Sequence, residues 1–118
     1  MQIDIQARNF TLTDALRNHA VRRLRFALTC CDQYIQRVIM RLSDINGPRG
    51  GEDKRCHVQV VLDGLGDVVI EDTEADLYVA IDRASDRAGR TLVRRVDRQK
   101  TLSRRSHPIE TGAQAADY

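Results

Sequence analysis

Six apolar residues, Leu77, Ile81, Ala84, Ala88, Leu92 and Val96, recur at intervals of three or four in the last third of the chain. Each helical residue turns the backbone by about 100°, so this interval places all six along one side of an α-helix. Thr73 and Asp76 stand just before them at capping-box spacing, which predicts a helix over about Glu74 to Lys100. Gly89 in its interior costs about 1 kcal/mol relative to Ala. A helix with one apolar side must cover something, and the upstream sequence offers a sheet.

Ile3 and Ile5 alternate with polar neighbours and predict a short opening strand. Between about Gln36 and Ser43, Val38, Met40 and Leu42 take one face while Arg37, Ile39 and Arg41 take the other. Cys56, Val58, Val60 and Leu62 alternate with Arg55, His57, Gln59 and Val61, and Asp63-Gly64-Leu65-Gly66 then turns into a fourth strand over Val68 to Glu71. After the opening strand, Thr11 and Asp14 have capping-box spacing, and Leu16, Ala20, Leu24 and Ala27 predict a first helix over about Leu12 to Leu28. The predicted order is β-α-β-β-β-α, an α+β domain over residues 1–103. Residues 104–118 have no apolar period and are expected to form a flexible tail.

The chain of 118 residues is enough for one core, and with 31% charged residues its surface is crowded with charge. No stretch is long and apolar enough for a transmembrane helix, and Met1 leads directly into the first strand, so neither a membrane nor an export signal is expected. Three cysteines, two of them adjacent, make a poor disulfide framework and point to a reducing, cytoplasmic compartment. Cys30, Cys31 and Cys56 read as small packing residues.

The net charge of +2 conceals a division along the chain. Asp63 to Asp82 holds seven acids and no Lys or Arg. Arg83 to Arg105 holds nine basic residues against two acids, Asp86 and Asp97, a local net of +7. On a helical wheel Arg83, Arg87, Arg90, Arg94 and Arg98 share one sector, roughly 130° from the apolar stripe. Arg22 and Arg25 lie opposite the apolar side of the first helix, with Arg23 at its boundary, so both helices can rest on one sheet face and form a basic groove between them. Planar, permanently charged guanidinium groups match phosphate oxygens, and an array of them favours RNA or DNA over a small anion. A solvated face with local ion pairs, such as Asp82 or Asp86 with Arg90, is the plainer alternative.

Few aromatic residues are available as stacking platforms, so backbone and shape recognition is expected rather than base reading. Asp72, Glu74 and Asp76 alternate as in a calcium loop, but Leu77 occupies the place of the turn glycine. His19, His57 and His107 have no metal-ligand spacing, and no nucleophile elbow is present. Neither a metal, a cofactor, a small-molecule substrate nor an enzymatic activity is expected. The Asn46 to Asp53 loop reads as a hairpin connection, with Arg49 and Lys54 as candidate phosphate contacts beside its glycines.

Two runs carry a family resemblance: Thr13-Asp14-Ala15-Leu16-Arg17 at the first helix and Asp76-Leu77-Tyr78-Val79-Ala80-Ile81-Asp82 at the second. With the order of elements and the basic second helix, the chain over about residues 1 to 100 resembles the ribosome hibernation promoting factor and ribosome-associated inhibitor family. That resemblance implies a four-stranded sheet with two helices on one face, similar to double-stranded RNA-binding domains. It further implies a partner, the small ribosomal subunit and its rRNA, whose decoding region such a domain occupies under stress, blocking messenger and transfer RNA. The family's basic contacts fall on Arg23, Arg87, Arg90, Arg94, Arg98 and Lys100; Arg22, Arg25 and Arg83 are added by helix geometry. The chain stops at Tyr118, short of the C-terminal dimerisation domain of long members, and a monomer off the ribosome is expected. The competing expectation is a protein-interaction module that uses Ile39 and Val61 on the open sheet face together with the glycine-rich loop.

Overall fold

A computed structural model describes residues 1–44 and 53–105, with side chains through Lys100. The elements are β1 (Gln2–Arg8), α1 (Asp14–Leu28), a 3₁₀ segment (Thr29–Tyr34), β2 (Ile35–Asp44), β3 (Lys54–Leu62), β4 (Val68–Glu74) and α2 (Leu77–Arg105). The strands lie in the order β1-β2-β3-β4; β1 and β2 are parallel and the other pairs antiparallel. A parallel pair cannot be closed by a tight turn, and α1 supplies the crossover. The β3–β4 turn is tight because Gly64 and Gly66 adopt φ of +78° and +76°, where a Cβ is strained.

Register makes the covered face continuous. Ile5 pairs with Met40, Met40 with Val58 and Val58 with Ile70, and a second row runs through Ile3, Val38, Val60 and Val68. Leu16, Ala20, Leu24 and Leu28 of α1 and Ala80, Ile81, Ala84, Ala88, Leu92 and Val96 of α2 close over these rows in one buried cluster. A slip of one residue in any strand would turn its apolar set to solvent.

Both helix starts differ from the capping boxes expected at Thr11 and Thr73. Thr13, in extended conformation, is the N-cap of α1 and its Oγ1 accepts from the Leu16 amide at 3.2 Å. Asp14 then lies in the first turn, where a carboxylate is favoured by the helix dipole. Thr73 and Glu74 are claimed instead by the ladder with β3, which pairs Arg55 with Thr73 and Lys54 with Glu74. Asp76 takes over the capping of α2, its Oδ1 accepting from the Tyr78 amide at 2.7 Å. The last buried position of α1 is Leu28 rather than Ala27, which is turned toward α2. The 3₁₀ segment follows no apolar period; it buries Cys31 and leaves Cys30 exposed, so Cys30 is not the packing residue it was expected to be. α2 continues past Lys100 to Arg105. The remainder of the expected tail, residues 106–118, and the loop over 45–52 lie outside the described residues.

Candidate nucleic-acid interface

The two helices meet at Gly89 and Ala27. A Cβ on Gly89 would stand 2.8 Å from the Ala27 carbonyl oxygen, so only glycine permits this approach. On one side of the crossing, acids of α2 hold α1. His19 Nε2 lies 2.7 Å from Asp82 Oδ1, and Arg23 lies 3.2 Å from Asp82 and 2.8 Å from Asp86. The His19 ring also meets the Tyr78 ring edge-on at 4.8 Å between centroids. Asp82 and Asp86 are therefore spent on α1 rather than on Arg90, and Arg23 shares its charge with two carboxylates.

On the other side, Phe26, Ala27, Asp86, Gly89, Arg90, Val93 and Arg94 line an open cavity of about 490 Å³ between the helices. Arg90 and Arg94 are exposed there, and Arg90 has no carboxylate partner among the described residues. Arg22 and Arg25 are exposed on α1, where they line a neighbouring recess with Arg17, Asn18 and Val21. Arg98 and Lys100 are exposed on the later turns of α2.

The expected single arginine ridge divides. Arg83 and Arg87 lean toward β4: Arg83 Nε is 3.7 Å from Glu74 Oε2, and Arg87 Nη1 donates to the Glu71 carbonyl at 3.0 Å. Arg95 Nη1 donates to the Asp67 carbonyl at 2.7 Å and secures the β3–β4 turn. Lys54 is held by Asp53 Oδ1 at 3.0 Å and Asp44 Oδ1 at 3.2 Å, and the hydrogen bond to buried Asp53 raises its pKa above the usual lysine value. Its charge is thus already neutralised locally. Arg49 lies outside the described residues.

The open sheet face is mostly polar. Gln6, Arg8, Arg41, Ser43, Arg55, His57 and Glu71 border a recess in which Glu71 reaches both Arg55 and His57. Ile39, expected to be exposed there, is only 7% exposed, because β2 is a central strand flanked on both sides. Burial pushes the Cys56 thiol up to about 12, with Asp72 adding to the shift, and pushes Cys31 to about 11 with help from Cys30. Both remain protonated packing groups at neutral pH. Among the described residues no His, Cys, Asp and Glu cluster is fit to hold a metal ion, and no helix is long and apolar enough to cross a membrane.

Sequence reasoning missed Phe26, which is 81% exposed. Two residues beyond buried Leu24, it falls about 200° around the helix, which a wheel of α1 would have revealed.

The family described as sigma 54 modulation protein / S30EA ribosomal protein matches residues 3–100. The chain belongs to that family. It is the hibernation promoting factor family indicated by the two sequence runs. The N-terminal domain of Thermus thermophilus Protein Y, a crystal structure, is 35% identical over 80% of this chain and 98% of its own, with a TM-score of 0.63. A ribosomal subunit interface protein from Coxiella burnetii covers 80% of this chain and 96% of its own at a TM-score of 0.69; at 19% identity it supports the β-α-β-β-β-α fold alone. No curated protein matches the chain.

Proposed function

We propose that this member of the hibernation factor family binds the small ribosomal subunit at its decoding region through the two-helix basic face, and there excludes messenger and transfer RNA during stress. The observation that carries this reading is the set of exposed arginines on the two helices, with Arg90 and Arg94 of α2 in the interhelical cavity and Arg22 and Arg25 of α1 in a separate recess. Guanidinium groups that are not engaged in ion pairs keep their donors for phosphate. The role is occlusion rather than catalysis, and it would be exercised by a monomer in the cytoplasm, where the ribosomes are. Family membership and the similarity to Protein Y support ribosome association. The competing docking of a protein on the sheet face is weakened by the burial of Ile39, although Val69 is exposed on that face.

Co-sedimentation with purified small subunits tests the proposal. The protein should travel with small subunits and lower their capacity for messenger and transfer RNA. The charge reversal Arg90→Glu with Arg94→Glu should abolish both effects without altering the circular dichroism spectrum, since both side chains are exposed. Normal binding by this double variant would place the contact elsewhere.

A further inference from the structure

We infer that Phe26 is a stacking platform for an unpaired nucleobase of the bound RNA, an inference that rests on the ribosome-binding reading above. Among the described residues Phe26 is the most exposed of the large hydrophobic side chains, at 81%, and it stands on the solvent side of α1, opposite the core stripe. It lines the interhelical cavity together with Ala27, Gly89 and Val93, and Val93 is itself 37% exposed. These four residues make an apolar strip within an otherwise charged face. Arg90 and Arg94 line the same cavity.

A nucleotide has this composition in reverse, a flat π-face joined on either side to a phosphate. Stacking on an aromatic ring is tolerant of base identity, while guanidinium groups take the flanking phosphates. The cavity of about 490 Å³ lies within the range of about 300–1,000 Å³ that accommodates small ligands. Paired RNA keeps its base faces inside the helix, so the complement of this strip is an unpaired nucleotide in a loop, bulge or single strand. The basic groove would then do more than follow the backbone: it would favour RNA with a base free to leave its neighbours. A second copy of the chain, docked through the same apolar strip, would bring Arg90 and Arg94 against their own equivalents, and the charge argues against it.

Because Phe26 supports no core contact, its substitution leaves the fold in place, and binding to purified small subunits can be read directly. Phe26→Ala should weaken binding about tenfold, in line with a stacking contribution of about 1–3 kcal/mol per base. The slope of log affinity against log salt should stay unchanged, because no charge is lost. Phe26→Lys should fail to restore affinity. Phe26→Trp should bind as the parent does and, since the chain has no other tryptophan, its emission should be quenched when small subunits are added. Parent-like binding by Phe26→Ala or Phe26→Lys, or unchanged emission from bound Phe26→Trp, would overturn the inference. So would emission that depends on protein concentration without RNA, which would mark a self-association surface. If the parent protein itself fails to bind small subunits, the ribosome reading falls first and takes this inference with it.

Discussion

Gly89 of α2 packs directly beneath the backbone carbonyl of Ala27 of α1, and a single added carbon at Gly89 would stand 2.8 Å from that oxygen. On an exposed helix Gly→Ala gains about 1 kcal/mol of helical propensity. Here the obstacle is backbone, which cannot rotate aside, and overpacking of this kind costs about 1–3 kcal/mol. Gly89→Ala is therefore expected to lower the urea midpoint. A raised midpoint would show that the helices separate without cost.

The exposed helix cations that make no ion pair among the described residues should dominate the salt response. If Arg22, Arg25, Arg90, Arg94, Arg98 and Lys100 each meet a phosphate, affinity for small subunits should fall on the order of 1,000-fold between 50 and 200 mM salt. Arg90→Ala should reduce the log–log slope by about 0.9. Arg83→Ala should reduce it less, because Glu74 already faces its guanidinium at 3.7 Å. Equal reductions measured by filter binding would contradict the division of the ridge.

Asp86 restrains the same face twice, by lining the groove and by holding Arg23 at 2.8 Å. Asp86→Asn is expected to strengthen binding by removing a negative charge from the groove, and to steepen the salt slope by less than about 0.9, because Asp82 still holds Arg23 at 3.2 Å. Weaker binding in the same assay would mean that the Asp86–Arg23 contact is needed to position α1.

Lys54 should behave as a structural residue. Asp53 is fully buried and has Lys54 Nζ at 3.0 Å, so Lys54→Met would leave a buried carboxylate without its cation. Chemical denaturation should show a clear loss of stability. The variant that remains folded should bind small subunits with unchanged affinity. Weakened binding at unchanged stability would assign Lys54 to the RNA contact instead.

Alkaline pH should destabilise the fold through its buried thiols. Cys56 holds its proton to about 12 when folded, whereas an unfolded cysteine releases it near its ordinary value of 9.0. Above that ordinary value the unfolded state binds fewer protons, and stability falls by about 1.4 kcal/mol per pH unit until the folded thiol ionises. Cys31, held to about 11, acts in the same direction, as does Lys54, whose raised pKa contributes stability that is lost as pH climbs through it. Between pH 8 and 10, Cys56→Val should lose about 1 kcal/mol less than the parent in urea titrations. Identical losses would show that Cys56 is not protected.

The order of elements was legible because alternation and helical spacing are local properties: Val38-x-Met40-x-Leu42 can hide one face only as a strand, and Leu77 to Val96 only as a helix. Boundaries depend on competition between elements. Nothing within Thr73-Glu74 says that pairing with Arg55 and Lys54 outweighs a helix cap. Exposure of the basic residues was likewise legible, since a wheel separates Arg90, Arg94 and Arg98 from the core stripe. Their partners were not, because the Arg87 contact with Glu71 and the Arg23 contact with Asp86 join residues 16 and 63 positions apart. Phe26 escaped notice for a different reason, as an apolar residue on a polar face carries meaning only once the groove beside it exists.

The reach of α2 carries a last consequence. From Arg90 to Lys100 the helix rises about 15 Å, at 1.5 Å per residue. That exceeds the distance of about 8 Å over which exposed charges feel one another in physiological salt. The two ends of the row thus act as independent handholds on a stiff rod, each closing on its own stretch of phosphates. Release then requires both to open together, and a partner that offers only one stretch forfeits the avidity that the rod confers.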